Sequence, residues 1–221
     1  MINRKYFFDT VRAAIFNGTM SQHQVDGLEA ILHEWEAQQL KDLRWLAYIL
    51  ATTYHETSKT MQPVAEYGKG KGHDYGKKLK MGGGPGKRIA YETPDKIYYG
   101  RGHTQNTWYE NYQRLTKAAS TQGKPWDFLN DPDLLLQTGP SIWATFFAMR
   151  VGLYTGKKLA NYFNELTPVV TDRLWINARK IINGLDCAEK IADYAKIFFS
   201  AINGPIREND TTAQKETQIS G

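Results

Sequence analysis

At 221 residues, 41% of them hydrophobic and 13% aromatic, the chain is long enough to bury a substantial core and too apolar to be disordered. Its net charge of +5, from 28 basic and 23 acidic residues, suits an anionic partner without choosing among nucleic acid, cell wall and membrane surface. The single cysteine, Cys187, excludes an intramolecular disulfide and fits a reducing compartment. No run approaches the roughly 20 apolar residues a spanning helix needs.

Residues 1–16 lack a small-residue cleavage site and read as an amphipathic helix rather than a signal peptide, with Tyr6, Phe7, Val11, Ala14 and Ile15 on one stripe and Asn17-Gly18 as the stop. Ser21 with Gln24 is a capping-box pattern opening a second helix, whose buried face is Val25, Leu28, Ile31, Leu32 and Trp35. Asp42 caps a third helix through Trp45, Leu46, Ile49, Leu50 and Thr53, predicted to end near Thr57. Residues 66–88 then hold eight glycines and seven Lys/Arg, which predicts a long, mobile, basic loop. Tyr98-Tyr99-Gly100 reads as a short extended segment or turn, and Thr107–Ala119 as helix. Asn130-Asp131-Pro132-Asp133 is a turn and cap leading into Leu134–Gln137, and Ser141–Val151 is apolar enough for a buried core helix. A further helix starts at Leu159, and two more are expected over Asp172–Ile182 and Cys187–Ile202, separated by Asn183-Gly184. From Gly204 onward the chain is polar and aperiodic, so a frayed tail is expected over residues 206–221. The reading is of a mainly α domain over residues 1–205 with little or no β.

Two motifs fail on inspection. His55-Glu56 begins a zinc-protease pattern, but residue 59 is Lys59 where the second histidine is required. Gly82–Arg88 looks like a phosphate-binding loop, yet Met81 and Arg88 stand where Gly and Ser or Thr are needed, and no hydrophobic strand precedes it. Its basic residues cluster in a glycine loop rather than on a recognition helix, which argues against nucleic acid as a partner.

Glu56 is more informative. Trp45, Ile49, Thr52 and Glu56 are spaced on one helical stripe. A carboxylate continuing an apolar face in the last helical turn should have a raised pKa, as a general acid for glycosidic oxygen needs. The alternative is an exposed glutamate at a fraying helix end. Ten residues on, Glu66 opens the basic loop, where a carboxylate should stay ionised and wet, either as a general base or as a solvated loop acid. Inverting glycosidases need such a pair, roughly 6.5–9.5 Å apart, with a water between them. The run from Tyr98 to Trp108 adds aromatic faces, amides and hydroxyls suited to sugars, with Gly100 and Gly102 allowing close backbone approach. It could equally be an ordinary connecting loop.

Three ordered segments together resemble glycoside hydrolase family 19, the family of plant chitinases and many phage endolysins. They are Ala51–Thr57 around Glu56; Tyr98-Tyr99-Gly100-Arg101-Gly102 with Gln105, Thr107, Asn111 and Tyr112; and Ile181-Ile182-Asn183-Gly184. The likeness covers roughly residues 5–203. It implies a lysozyme-like, two-lobed helical fold with a cleft, Glu56 as acid, Glu66 as base and Thr107 holding the water. It further implies His55, Tyr99, Arg101, Gln105, Trp108, Asn111 and Asn183 as substrate contacts. The segment Met61–Gly68 and the lack of cysteine pairs resemble the endolysin branch, while His103 and Asn106 stand where the family usually has apolar residues. Should Glu66 not be the base, Glu92 and Glu110 are the other candidates.

The activity implied is hydrolysis of the β-1,4 MurNAc–GlcNAc bond of peptidoglycan with inversion, with no metal or cofactor, by a monomer. The basic loop suits electrostatic contact with an anionic wall or membrane surface. Synthesis in a host cytoplasm, followed by release through the inner membrane to the wall, is the location implied. The rivals are a chitinase acting on GlcNAc polymers and a non-catalytic wall-binding or membrane-disrupting protein.

Overall fold

The computed structural model describes residues 2–71, 79–81, 88–90 and 98–204, the side chains of 79–81 and 88–90 excepted. Among the described residues the architecture is mainly α: seven α-helices, short 3-10 turns and four strands of two or three residues. No described helix is long and apolar enough to cross a membrane.

Local chemistry sets the first three helices. Asn3 caps α1 (Arg4–Ala14), its side chain accepting from the Tyr6 N–H. Ser21 and Gln24 form the reciprocal capping box of α2 (Gln22–Ala37). Asp42 caps α3 (Leu43–Glu56) by accepting from the Arg44 N–H at 3.1 Å. Helix α3 is buried over nine successive residues, Leu46 to Tyr54, so it runs through the centre and emerges only at its two ends, Leu43–Trp45 and His55-Glu56. It packs on α7 (Ala188–Asn203), whose buried face is Ile191, Ala192, Ala195, Phe198, Ala201 and Ile202. Tyr54 stands edge-on to Tyr194 at 4.8 Å between ring centroids.

The core falls into two clusters. The larger gathers α1, α2, α3 and α7 around Phe7, Leu28, Leu32, Leu50 and Phe198. The smaller gathers Tyr98, Phe128 and Leu135 with Tyr112 and Leu115 of α4 (Tyr109–Thr121). Helix α5 (Thr138–Val151) serves both, sending Ile142, Phe146 and Met149 into the first and Trp143, Ala144 and Ala148 into the second. That is why its sequence is apolar on every side. Each large side chain fully buried in this way stabilises the fold by about 1.5–3 kcal/mol.

Two antiparallel strand pairs complete the description. β1 (Val64–Ala65) pairs with β4 (Arg101–Gly102) in the register Val64↔Gly102, Ala65↔Arg101. β2 (Leu79–Met81) pairs with β3 (Arg88–Ala90), Leu79 opposite Ala90. The latter corrects the expectation of a loop throughout residues 66–88, since Leu79–Met81 within it pairs with a strand that begins at Arg88, its last residue; residues 72–78 and 82–87 lie outside the described residues, as does the expected tail. The helix expected over 172–182 divides into α6 (Asp172–Asn177) and a 3-10 turn, Ala178–Ile181. The segments at Pro132–Leu136 and Leu159–Asn161 are likewise 3-10 turns rather than helix starts.

Candidate active site

Between the two clusters lies a cleft of about 420 Å³, lined by Glu56, Arg179, Ile182 and Asn183 beside the larger cluster and by Thr104, Gln105, Thr107, Trp108 and Asn111 beside the smaller, with Tyr154 and Thr155 also contributing. Glu56 is delivered by the end of α3, where Thr57 becomes the C-cap and its N–H donates to the Thr53 carbonyl. Its carboxylate does not stand alone on an apolar face. Arg179 Nη1 donates to Glu56 Oε1 at 2.6 Å, while Arg179 Nε donates to the Asp186 carbonyl at 3.0 Å. The two side chains are 4% and 15% exposed, so the pair is held rigidly and only the carboxylate edge meets the cleft.

The other wall is built by the β1–β4 pairing. An isolated bridge between Arg101 and Asn106 closes the turn that follows β4. Gln105 takes φ +50° there and donates from Nε2 to the Val64 and Gly102 carbonyls at 2.9 and 3.1 Å. Thr107 Oγ1 donates to the Gln105 carbonyl at 2.8 Å, and Asn111 Nδ2 to the Thr107 carbonyl at 2.8 Å. These bonds fix three polar side chains along one edge of the cleft.

Glu66 is not among the cleft-lining residues, yet it borders them. Its backbone N–H donates to the Gly100 carbonyl at 2.8 Å, and its Oε2 accepts from the Gly100 N–H at 3.0 Å. A Cβ placed on Gly100 would come 2.9 Å from Gln105 Oε1 and 3.3 Å from both Glu66 Oε2 and Thr107 Oγ1. Glycine at this position therefore lets a carboxylate, an amide and a hydroxyl converge on one backbone unit. Gly102 is tight for another reason: at φ +88° an added Cβ would approach Ser141 Oγ to 2.7 Å and the Leu135 carbonyl to 3.1 Å.

Ser141 is the partner of His103. Its hydroxyl accepts from the His103 N–H at 3.0 Å and stands 2.7 Å from Nδ1. Burial pushes the His103 imidazole down to about 4, so it is neutral near pH 7. Asn106 is also buried. At the cleft floor the Thr104 and Tyr154 hydroxyls pair at 2.9 Å, and burial raises the Tyr154 phenol well above its ordinary range.

Of the sequence-predicted site residues, the structure gathers Glu56, Gln105, Thr107, Trp108, Asn111 and Asn183 in one cleft, with Glu66 at its edge. It does not bring Tyr99, Arg101 or His55 there. Arg101 is buried, stacked 3.5 Å from the Tyr99 ring centroid and bound to Asp133 at 2.7 Å; Tyr112 Oη donates to the Tyr99 carbonyl at 2.7 Å. Those two residues brace the cleft wall from behind. His55 opens into a separate depression with Lys59 and Lys190. Of the other base candidates, Glu110 lies in the first turn of α4 outside the lining, and Glu92 lies outside the described residues. Sequence reasoning missed Arg179, Tyr154 and Thr155, and named Thr104 and Ile182 only as members of longer motifs. For Arg179 a signal existed: it stands four residues before Asn183, and the Asn183 N–H donates to its carbonyl at 3.1 Å, so both lie on one turn. Among the described residues no three His, Cys, Asp or Glu side chains gather as a metal-holding group.

No known family profile matches the chain, and no curated protein matches it. Among solved structures it is similar to chitinase C from Streptomyces griseus HUT6037 and to a mutant of chitinase C. Each aligns at a TM-score of 0.50 and 18% sequence identity, over 92% of this chain and 95% of the other. The chain thus shares the mainly α, lysozyme-like fold of chitinase C.

Proposed function

We propose that the protein is a glycoside hydrolase that cuts the β-1,4 bond between MurNAc and GlcNAc in bacterial peptidoglycan, with inversion at the anomeric carbon. The observation that carries this reading is the inter-lobe cleft, in which Glu56 stands clamped by Arg179 while Glu66, Gln105 and Thr107 converge around Gly100 at the other edge. Glu56 gives a proton to the glycosidic oxygen as the bond from the anomeric carbon breaks. Arg179 then stabilises the carboxylate left behind. A water oriented by Thr107 Oγ1 attacks the same carbon from the opposite face, and Glu66 takes its proton. Gln105, Asn111 and Asn183 offer amides to sugar hydroxyls and N-acetyl groups, and Trp108 offers an apolar face. The domain acts alone, without nucleic acid or a partner chain, on a wall reached after release from the compartment of synthesis.

A chitinase acting on GlcNAc polymers is the second reading, favoured by the fold shared with chitinase C. Incubation with purified peptidoglycan and with colloidal chitin, followed by mass spectrometry of the new reducing ends, separates the two. Reducing MurNAc from peptidoglycan supports the first reading; reducing GlcNAc from chitin alone supports the second; free peptide with intact glycan overturns both. The Glu56→Gln protein should fold normally and lose at least about a hundredfold in rate. Bacterial killing that persists in that variant points instead to a non-catalytic, membrane-active protein.

A further inference from the structure

The turn that ends α3 is strained. Ser58, Lys59 and Met61, none of them glycine, take φ values of +50°, +72° and +58°, a region that costs free energy for any residue with a Cβ. Surrounding bonds hold it there: the Lys59 N–H donates to the Tyr54 carbonyl at 2.8 Å, the Met61 N–H to Thr57 Oγ1 at 3.1 Å, and Gln24 Nε2 to the Lys59 carbonyl at 3.0 Å. The turn puts Lys59 Nζ 5.9 Å from the Tyr54 ring centroid, at a depression of about 270 Å³ lined by Tyr54, His55, Ser58, Lys59, Lys190 and Tyr194.

The chemistry of that lining is one-sided. It holds two ammonium groups, an imidazole, hydroxyls and aromatic walls, and no carboxylate. Arg4, Lys5, Arg12, Arg44 and Lys196 each have an acidic partner within 4 Å. Lys59 and Lys190 have none among the described residues. His55 is pushed below its ordinary pKa, chiefly by burial, so its ring stays neutral near pH 7 and keeps an N–H to donate. His55 and Glu56 are consecutive, about 100° apart around the helix, which places the depression beside the cleft and around one edge of α3.

We propose that this depression binds a carboxylate carried by the substrate strand. The peptide substituents of muramic acid bear such carboxylates and chitin bears none, so occupation of the pocket turns a general glycan cleft toward peptidoglycan. The source of the carboxylate rests on the wall-glycan reading above; the affinity of the pocket for a carboxylate does not.

The test has two arms. In the first, acetate is titrated into the full-length protein and followed by amide NMR, with chloride at matched ionic strength as the control. Saturable shifts at Ser58, Lys59 and Lys190, absent in the Lys59→Gln/Lys190→Gln variant, are expected. Shifts equal to those of chloride overturn the proposal. In the second arm, wild type and variant are compared on muropeptide fragments with free carboxylates and on the same fragments after amidation. KM for the free form should rise about fivefold in the variant and lose most of its salt dependence, and KM for the amidated form should move much less. Equal rises on both overturn the proposal. If wild type cleaves neither fragment, the wall-glycan reading fails while the acetate titration still decides the pocket.

Discussion

Acidification should destabilise this protein chiefly through His103. Its imidazole is 1% exposed, bonded to Ser141, and depressed by burial from the usual 6.5 to about 4. Above pH 6.5 the folded and unfolded chains are both neutral at this position. Between pH 6.5 and 4 the unfolded chain binds a proton that the folded chain refuses, so stability falls as pH falls, and the loss levels off below 4. At about 1.36 kcal/mol per unit, the loss is about 2 kcal/mol by pH 5 and about 3 kcal/mol by pH 4, a large part of the roughly 5–15 kcal/mol that holds a domain folded. His55, also depressed by burial, acts in the same sense. Asp9, Glu36 and Asp127 are held below their ordinary carboxylate values, Asp9 and Glu36 foremost by side-chain bonds to Lys5 and Arg4, and Asp127 by its bonds to Asn130, Leu129 and Thr116, which outweigh burial. Their stabilisation is therefore lost only at lower pH. Because His103 lies in the segment that carries Gln105 and Thr107, activity should fall reversibly over the same range. Urea unfolding at pH 7, 6, 5 and 4.5, run on wild type and His103→Gln, measures the slope, which should flatten in the variant. Ring titration by NMR reads the group directly. A His103 imidazole titrating near 6.5, or an unchanged slope in the variant, refutes the reasoning.

Three further outcomes follow from the geometry. Arg179→Met strands the Glu56 carboxylate and should cost about 3 kcal/mol in urea unfolding at neutral pH; adding Glu56→Gln should restore more than 1 kcal/mol of it, and strict additivity would show that the two groups are not coupled. Gly100→Ala puts a methyl 2.9 Å from Gln105 Oε1 and 3.3 Å from Glu66 Oε2 and Thr107 Oγ1. Since these are side-chain ends, melting temperature should change little while kcat falls about a hundredfold; wild-type turnover would remove Glu66 and Thr107 from the chemistry. Tyr48→Phe deletes a buried hydroxyl that has no hydrogen-bond partner among the described residues, so stability should rise by about 1 kcal/mol. A loss of that size would instead reveal an internal water bonded to it.

What the sequence by itself determined is what short-range physics governs. Ser21 with Gln24, and Asp42 before the Trp45–Thr53 stripe, satisfy backbone groups within three residues, so the starts of α2 and α3 and the end of α3 at Glu56 were all legible. The apolar run of α5 announced a helix buried on all sides. Tertiary structure decided whatever depends on a partner far along the chain. Arg179 reaches Glu56 across 123 residues, and no spacing rule predicts which cation closes on a carboxylate at a helix end. The pairing of Leu79–Met81 with Arg88–Ala90 needed cross-strand contact that the glycine content of residues 66–88 alone argued against. Tyr99, Arg101 and His55 carry the right chemistry for sugar contact. Their placement behind or beside the cleft, however, follows from the β1–β4 register and from the rotation of α3 against α7, neither of which short-range hydrogen bonding sets.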